Sequence, residues 1–425
     1  MLADEVTSAF IYAYPLFVFA QTRHNAVANE ANPERHAPNT IRHNRQLSDH
    51  RSIWITAPNN DTLYSNAWLD LSFGPVRIQA GEMPAGRYWS LAFMDAFTNH
   101  FAVVGQRREG TGPVDFIVAG PDHASAAEAG RVIHAPGNDA WLFCRCIVDG
   151  PDDLPQSHAM QDTIRVSSSA PDNSSDRVQP VSPISAQNFL DVVNEFLARN
   201  PVPAAEQALL ESWQRIGLRP GVRGVWHDLA PDMRAAWEST ISETHASLKT
   251  AGKQGRREVA GWIGAASDIG NFGDNYMLRA SVALGGLGAL EPDEAMYFVK
   301  YQDENGEMLD GGRNYVLKVP ATGIPTNSFW SFTMYAATED GRRVLVENPI
   351  SRFSVGNRTP GIAPNPDGSL DIALQSRTPA EPELVANWLP TPAAGPFQIA
   401  LRTYLPRDEL KDGTAKLPQI IRSAD

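Results

Sequence analysis

At 425 residues the chain is long enough for two or three domains and a substantial buried core. Its 42% hydrophobic and 20% charged residues are globular proportions that exclude a largely disordered chain. The formal net charge of -13 leaves no evident basic surface for a phosphate backbone, so nucleic acid is excluded as an expected partner and membrane attachment is disfavoured. The two cysteines, Cys144 and Cys146, alternate onto one face of a strand, where neighbours are poorly placed for a disulfide and too few for a zinc site; both read as core.

Residues 3 to about 28 suit a helix that Pro15 bends or breaks, with Asp4 and Glu5 in the acidic first turn where a secretion signal would carry Lys or Arg. A buried first helix is expected. The segment 29 to 52 is a long irregular connection that gathers His36, His43 and His50 among four arginines.

From Ile53 to Val148 short alternating runs separated by Gly and Pro, beginning with I-W-I-T at 53 to 56, predict antiparallel strands; only 122 to 130 resembles a helix. The most marked stretch is P-N-N-D-T-L-Y-S-N-A-W-L-D-L at 58 to 71, a polar loop feeding an apolar strand, with the Thr62 and Tyr64 hydroxyls on one face. Residues 150 to 182 form a polar Pro/Ser/Asp-rich boundary. Helical periodicity follows at 185–199, 203–216 and about 230–251, and a small-residue helix after Gly270; its glycines form no dinucleotide fingerprint. Strands return from Tyr297 to the C-terminus, separated by turns such as E-N-G-E and P-D-G-S.

The common catalytic templates are missing: there is no H-E-x-x-H, G-x-S-x-G, Walker loop or C-x-x-C pair. Two polar clusters at strand ends carry the chemistry that remains. Asp61 and Asp95 are candidate paired carboxylates, able to divide acid and base roles if one is desolvated, and His43 is a candidate general base. Asn60, Tyr64 and Asn99 are candidate substrate donors. In the C-terminal half Trp330 and Tyr335 offer a binding wall and Arg352 an anion clamp, with Asn387 and Trp388 beside them.

These stretches resemble a mostly bacterial two-region family, domain of unknown function 1254 followed by domain of unknown function 1214. The resemblance rests on Y-P-L-F-V at 14–18, the 58–71 stretch, R-Y-W-S-L-A-F-M-D-A-F-T-N at 87–99, G-N-F-G-D-N-Y-M-L-R-A at 270–280, F-W-S-F-T-M-Y at 329–335, N-P-I-S-R-F-S-V-G at 348–356, D-G-S-L at 367–370 and N-W-L-P-T-P at 387–392. It implies a pair of jelly-roll-like β-sandwiches with a helical part between, and no particular reaction. Many relatives carry a secretion leader.

The expected fold is mainly β with α: an N-terminal helix and loop (1–52), a β-sandwich (53–180), a helical linking segment (181–290) and a second β-sandwich (291–425). The expected function is a cofactor-independent hydrolase, lyase or isomerase acting on a small polar or carbohydrate-like molecule through carboxylate acid/base chemistry. Two alternatives stand beside it: a non-catalytic carbohydrate- or small-molecule-binding protein using Trp330 or Trp388, and a metal-dependent enzyme with His43, Asp61 and Asp95 as ligands. The expected partner is a small-molecule ligand, with a homo-oligomer left open. The expected location is the cytoplasm, or the periplasm or exterior if a leader has been removed.

Overall fold

The computed structural model describes residues 2–123, 130–168, 177–251, 256–338 and 341–423. The architecture is mainly β with helices, built from several largely antiparallel sheets, none of them closed.

The first helix spans Leu2–Val27 and runs unbroken through Pro15, so of the expected bend or break the break does not occur. Proline removes one backbone donor and crowds the preceding turn. Here packing on all sides overrides that local penalty: Phe10, Tyr12, Leu16, Phe17 and Phe19 are buried against Ala186–Arg199, Pro231–Ala251 and Tyr276–Gly285. A helix apolar around its circumference belongs inside a protein or a bilayer. By length and apolar content this one matches a membrane-crossing segment, and 61% of that apolar window is buried within the chain. Local signals set the helix starts: the Ser185 and Asn275 side chains accept from the amides of Asn188 and Leu278.

A five-stranded antiparallel sheet runs in the order Arg42–His43, Thr62–Asp70, Asp139–Ile147, Trp89–Asp95, His100–Gly105. Strand alternation gives it two different faces. Leu69, Leu91, Phe93, Leu142, Cys144 and Cys146 share a core with Val76, Ile78, Phe116 and Val118 of a four-stranded sheet, so both thiols are core residues as expected. The opposite face carries Tyr64, Trp68, Tyr88, Phe143 and Arg145.

In the C-terminal half a seven-stranded sheet runs Arg257–Val259, Trp262–Gly264, Ala295–Lys300, Phe397–Tyr404, Trp330–Ala337, Arg343–Leu345, with Ser354–Gly356 also pairing to Trp330–Ala337. One of its faces builds a core with the strands Tyr315–Val319, Leu370–Gln375, Leu389–Pro390 and Gln419–Arg422 through Phe332, Ile399, Leu401, Leu317, Ile372 and Ile420. Its other face meets the outer face of the five-stranded sheet. Tyr88, Met94, Phe143 and Ile147 pack there against Phe329, Tyr404 and Leu405, and Phe329 stacks on Tyr404 with ring centres 4.1 Å apart.

Two further expectations fail locally. The run at 53–56 forms turns and bends rather than a strand, with Ile53, Trp54 and Ile55 exposed to 55%, 78% and 48%. It lies across the other half, where the Arg342 guanidinium donates to the Ile53 carbonyl, the Arg343 amide to Thr56 Oγ1 and the Ala57 amide to the Arg343 carbonyl, so its apolar pattern reports no core. The boundary at 150–182 contains structure: Leu154–Asp162 is a helix and Arg165–Ser167 joins the four-stranded sheet, anchored where the buried Arg87 donates to Asp153 and Ser157. Residues 169–176 of that segment, and most of the helix expected at 122–130, lie outside the described residues.

Candidate functional site between the two sheets

The two outer faces enclose a polar cluster that follows from register. Arg145 sits on a central strand of the five-stranded sheet, directly opposite Tyr64 on one neighbour and Ser90 on the other. Arg402 holds the corresponding place in the seven-stranded sheet, opposite Ser331 and Tyr297. Directly opposed residues share a face, so each arginine is flanked by hydroxyl-bearing side chains pointing toward the other half.

Both arginines are buried, and among the described residues neither makes an ion pair. Arg402 donates to Thr333 Oγ1 at 2.7 Å, to the Tyr335 hydroxyl at 2.5 Å and to the Ala57 carbonyl at 3.1 Å. Arg145 donates through Nη2 to the Gly288 carbonyl at 2.8 Å, while its Nε and Nη1 are buried without a hydrogen-bond partner. Its guanidinium lies 5.0 Å from the centre of the Tyr64 ring and 5.0 Å from that of Phe143.

The 58–71 loop closes one side. Asn59 Nδ2 reaches the Tyr404 hydroxyl at 2.8 Å and the Tyr64 hydroxyl at 3.1 Å. Asp61 accepts from Ser331 Oγ at 2.6 Å and from Ser354 Oγ at 3.1 Å, a carboxylate of one half held by two hydroxyls of the other. Tyr335 donates to the Pro58 carbonyl at 2.6 Å. Tyr88 donates to Glu294 Oε1 at 2.8 Å, and Arg107 pairs with the second oxygen of that carboxylate at 3.0 Å.

The electrostatics single out one hydroxyl. Burial raises the phenols of Tyr88, Tyr297, Tyr335 and Tyr404 above the ordinary tyrosine value. Burial pushes Tyr64 the same way, but the positive charge of Arg145, then of Arg402, outweighs it and the phenol moves down. A phenol stabilised toward its anion beside a buried cation can accept and return a proton.

Of the residues singled out in the sequence, the structure brings Asp61, Tyr64 and Tyr335 into this cluster and leaves the rest outside. Asp95 does not pair with Asp61: the two lie at opposite ends of the sheet, about 25 Å apart at ~3.3 Å per residue. Asp95 closes its own turn by accepting from the Asn99 amide at 2.9 Å, and burial raises its carboxyl to about 6. Asn99 is bound to the neighbouring loop through the Phe272 amide. His43 bonds Ser65 at 2.7 Å on the other face of the strand, and burial lowers its pKa to about 4, so no His43–Asp61 dyad forms. His43, Asp61 and Asp95 are thus no ligand set, and the described residues hold no group of three His, Cys, Asp or Glu able to bind a metal. Asn60 donates to the Ser48 carbonyl and fixes its loop. Trp330 and Trp388 are core residues and line no carbohydrate groove. Arg352 is no anion clamp: its Nη1 donates to the carbonyls of Ala386 and Trp388. Asn387 bonds backbone groups of Ala363 and Asp371.

Sequence reasoning passed over Arg145, Arg402, Tyr404 and Ser331. The signal was present in F-Q-I-A-L-R-T-Y at 397–404 and C-R-C at 144–146, each with an arginine alternating against a core-forming face. An alternating strand normally shows such a residue to water.

A mainly β chain whose two halves meet through a buried, cation-bearing polar face is the class that this fold and cluster define. Residues 38–168 match the family "Protein of unknown function (DUF1254)" and residues 294–408 the family "Protein of unknown function (DUF1214)", so the chain belongs to the family in which the first region precedes the second. Both regions contribute to the cluster, Arg145 and Tyr64 from the first and Arg402 and Tyr335 from the second. The VPA0106 protein of Vibrio parahaemolyticus has a similar fold, at 23% identity and a TM-score of 0.77 over 100% of both chains. A putative uncharacterized protein of Burkholderia cenocepacia matches at 13% identity and a TM-score of 0.45 over 99% of this chain and 92% of its own. No curated protein matches the sequence.

Proposed function

We propose that this chain is a cofactor-independent enzyme that moves a proton on a small polar molecule enclosed between its two halves, as a lyase, isomerase or hydrolase does. Tyr64 is the proton-transfer group, Arg145 holds its phenolate form, Asn59 orients its hydroxyl, and Asp61 fixes the loop against Ser331 and Ser354. The observation that carries the reading is the contact of the Tyr64 ring with a buried Arg145 whose Nε and Nη1 have no hydrogen-bond partner. Leaving a cation so incompletely satisfied is costly unless a further group completes it. We also propose that each sheet pair is a jelly-roll-like sandwich and that the helices 186–285 link the two.

Titration tests the role of Tyr64 without a known substrate. Tyrosinate absorbance of the folded wild type is followed against pH beside Tyr64→Phe. One phenol titrating below the ordinary value near 10 in wild type and missing in the variant is the expected result. Superimposable curves over the folded range overturn the assignment. In a turnover screen of small hydroxy and keto compounds, Tyr64→Phe is then expected to lose on the order of 100-fold or more in rate.

A further inference from the structure

We propose that Asn305 is a site of spontaneous covalent modification. Its side-chain amide is displaced by the Gly306 backbone nitrogen, leaving aspartate and isoaspartate in a turn that also holds the last strand. Asn305 and Gly306 form the only Asn-Gly pair in the sequence. Glycine has no Cβ to hinder the approach of its nitrogen to the preceding side chain, and it leaves the backbone the freedom that ring closure needs.

The pair makes the reaction open to the chain, and the fold decides whether it is suppressed. Asn194, Asn200 and Asn387 are buried, with their carboxamides bonded to backbone or carboxylate groups. Asn305 and Gly306 are both exposed. Among the described residues the Asn305 carboxamide reaches only Glu304 Oε1, at a long 3.4 Å. Gly306 has a φ of 79°, and nothing lies within 4 Å of the place a Cβ would take, so the turn face is open. The Gly306 amide donates to the Asp303 carbonyl at 3.2 Å, the longest of the bonds that close the turn; the others, from the amides of Asp303, Asn305 and Glu307, measure 2.9 to 3.0 Å.

The step needs only water. The Gly306 nitrogen gives its proton to solvent and forms a bond to Asn305 Cγ, the Cγ–Nδ2 bond breaks, and ammonia leaves with a proton drawn from water. Water then opens the cyclic imide. Cleavage between Cγ and the Gly306 nitrogen gives aspartate. Cleavage between the Asn305 carbonyl carbon and that nitrogen gives isoaspartate, whose main chain runs through the side chain and is longer by one methylene.

That methylene falls where spacing matters. Gln302 and Met308 pair across the turn. The Glu304 amide donates to the Ile420 carbonyl at 2.9 Å, the Arg422 amide donates to the Glu304 carboxylate at 3.1 and 3.2 Å, and the Arg422 guanidinium pairs with Glu307 at 3.5 Å. Gln419–Arg422 is an edge strand that pairs within its sheet only to Tyr315–Val319, so the turn is a second hold on it. Isoaspartate shifts Glu304 against Glu307 and loosens that hold, whereas aspartate adds a charge and keeps the spacing.

The test is peptide mapping by mass spectrometry of the folded full chain held at about 37 °C and pH 8, beside a synthetic peptide of residues 300–310. Conversion at Asn305 within tenfold of the peptide's rate, isoaspartate as the larger product, and no conversion in Asn305→Gln are expected. A rate more than tenfold below the peptide's, or faster conversion at another asparagine, overturns the assignment. Hydrogen exchange at the Arg422 amide reads the consequence: at least tenfold faster in the separated isoaspartate form, and unchanged in Asn305→Asp. Equal exchange in wild type and the isoaspartate form overturns the link to the last strand.

Discussion

Asp139→Asn and Arg23→Met should have opposite consequences, although both touch the same buried ion cluster. Asp70 and Asp139 are directly opposed on neighbouring strands, a repulsive arrangement by itself. Arg177 bridges them at 2.6 Å to each, and Arg199 at 2.9 and 2.8 Å. Arg23, on the first helix, approaches Asp139 only to 3.9 Å, and its Nε and Nη2 have no hydrogen-bond partner. Three cations thus face two carboxylates. Removing the Asp139 charge leaves three against one, and breaking a buried pair from one side costs about 3 to 5 kcal/mol. Arg177 and Arg199 keep 11% and 22% of their side-chain surface in water, which places the expected loss near the lower figure, about 3 kcal/mol. Removing Arg23 leaves two against two, so Arg23→Met should cost less than about 1 kcal/mol or stabilise the fold. Burial acts to raise the Asp139 carboxyl, but Arg177 and Arg199 hold it far below the usual range. With the folded value depressed, its contribution is present above the unfolded value near 4 and fades as pH falls through the folded one. Urea denaturation followed by circular dichroism at pH 7.5 and pH 4 measures both variants. A loss below about 1 kcal/mol for Asp139→Asn, or a larger loss for Arg23→Met, refutes the charge-balance argument.

Asp95→Asn should be neutral or stabilising at pH 7.5. The wild-type carboxyl, raised to about 6 by burial, penalises the folded state increasingly as pH climbs through 4 to 6, by at most roughly 3 kcal/mol, and the gain should vanish below pH 4 in paired thermal melts. Trp388→Ala should cost about 3 to 5 kcal/mol, since the ring is buried and its Nε1 donates to the Gln375 carbonyl, while Trp54→Ala should stay within about 0.5 kcal/mol because the ring is largely in water; comparable losses in urea melts contradict the placement of Trp54. Asp61→Ala removes two hydrogen bonds to an ionised acceptor that join the halves and should cost about 3 to 5 kcal/mol, whereas Ser354→Ala, which removes the longer of the two, should cost about 1 to 2 kcal/mol; equal effects argue against Asp61 as the bridge.

The division between what the sequence disclosed and what it concealed follows the range of the interactions. Alternation in Thr62–Asp70 and Phe397–Tyr404 and helical periodicity at 185–199 are set within a few residues of chain, and these elements form where the pattern places them. The absence of a break at Pro15 and of a strand at 53–56 is decided in each case by a distant partner: a core wrapped around the first helix in one, and a surface shared with Arg342 and Arg343 in the other.

The candidate site was half visible for the same reason. Asp61, Tyr64 and Tyr335 stood out because they sit in dense polar or aromatic runs, yet Asp95, Asn60 and Asn99 stood out equally, and they close a turn or tie loops together through backbone groups. What separates the two groups is the direction in which each points once the outer faces of two sheets, one ending at Ile147 and the other beginning at Arg257, are laid together. A lone arginine on the outer face of a strand reads as solvent-exposed until that second face arrives, and Arg145 and Arg402 are therefore the residues a single sequence hides best. Burying two guanidinium groups between facing sheets is a poor way to glue halves together, because apolar side chains of similar volume would do it with less desolvation. Their presence, with hydroxyls rather than carboxylates across from them, is what makes this interface a candidate for chemistry rather than for packing alone.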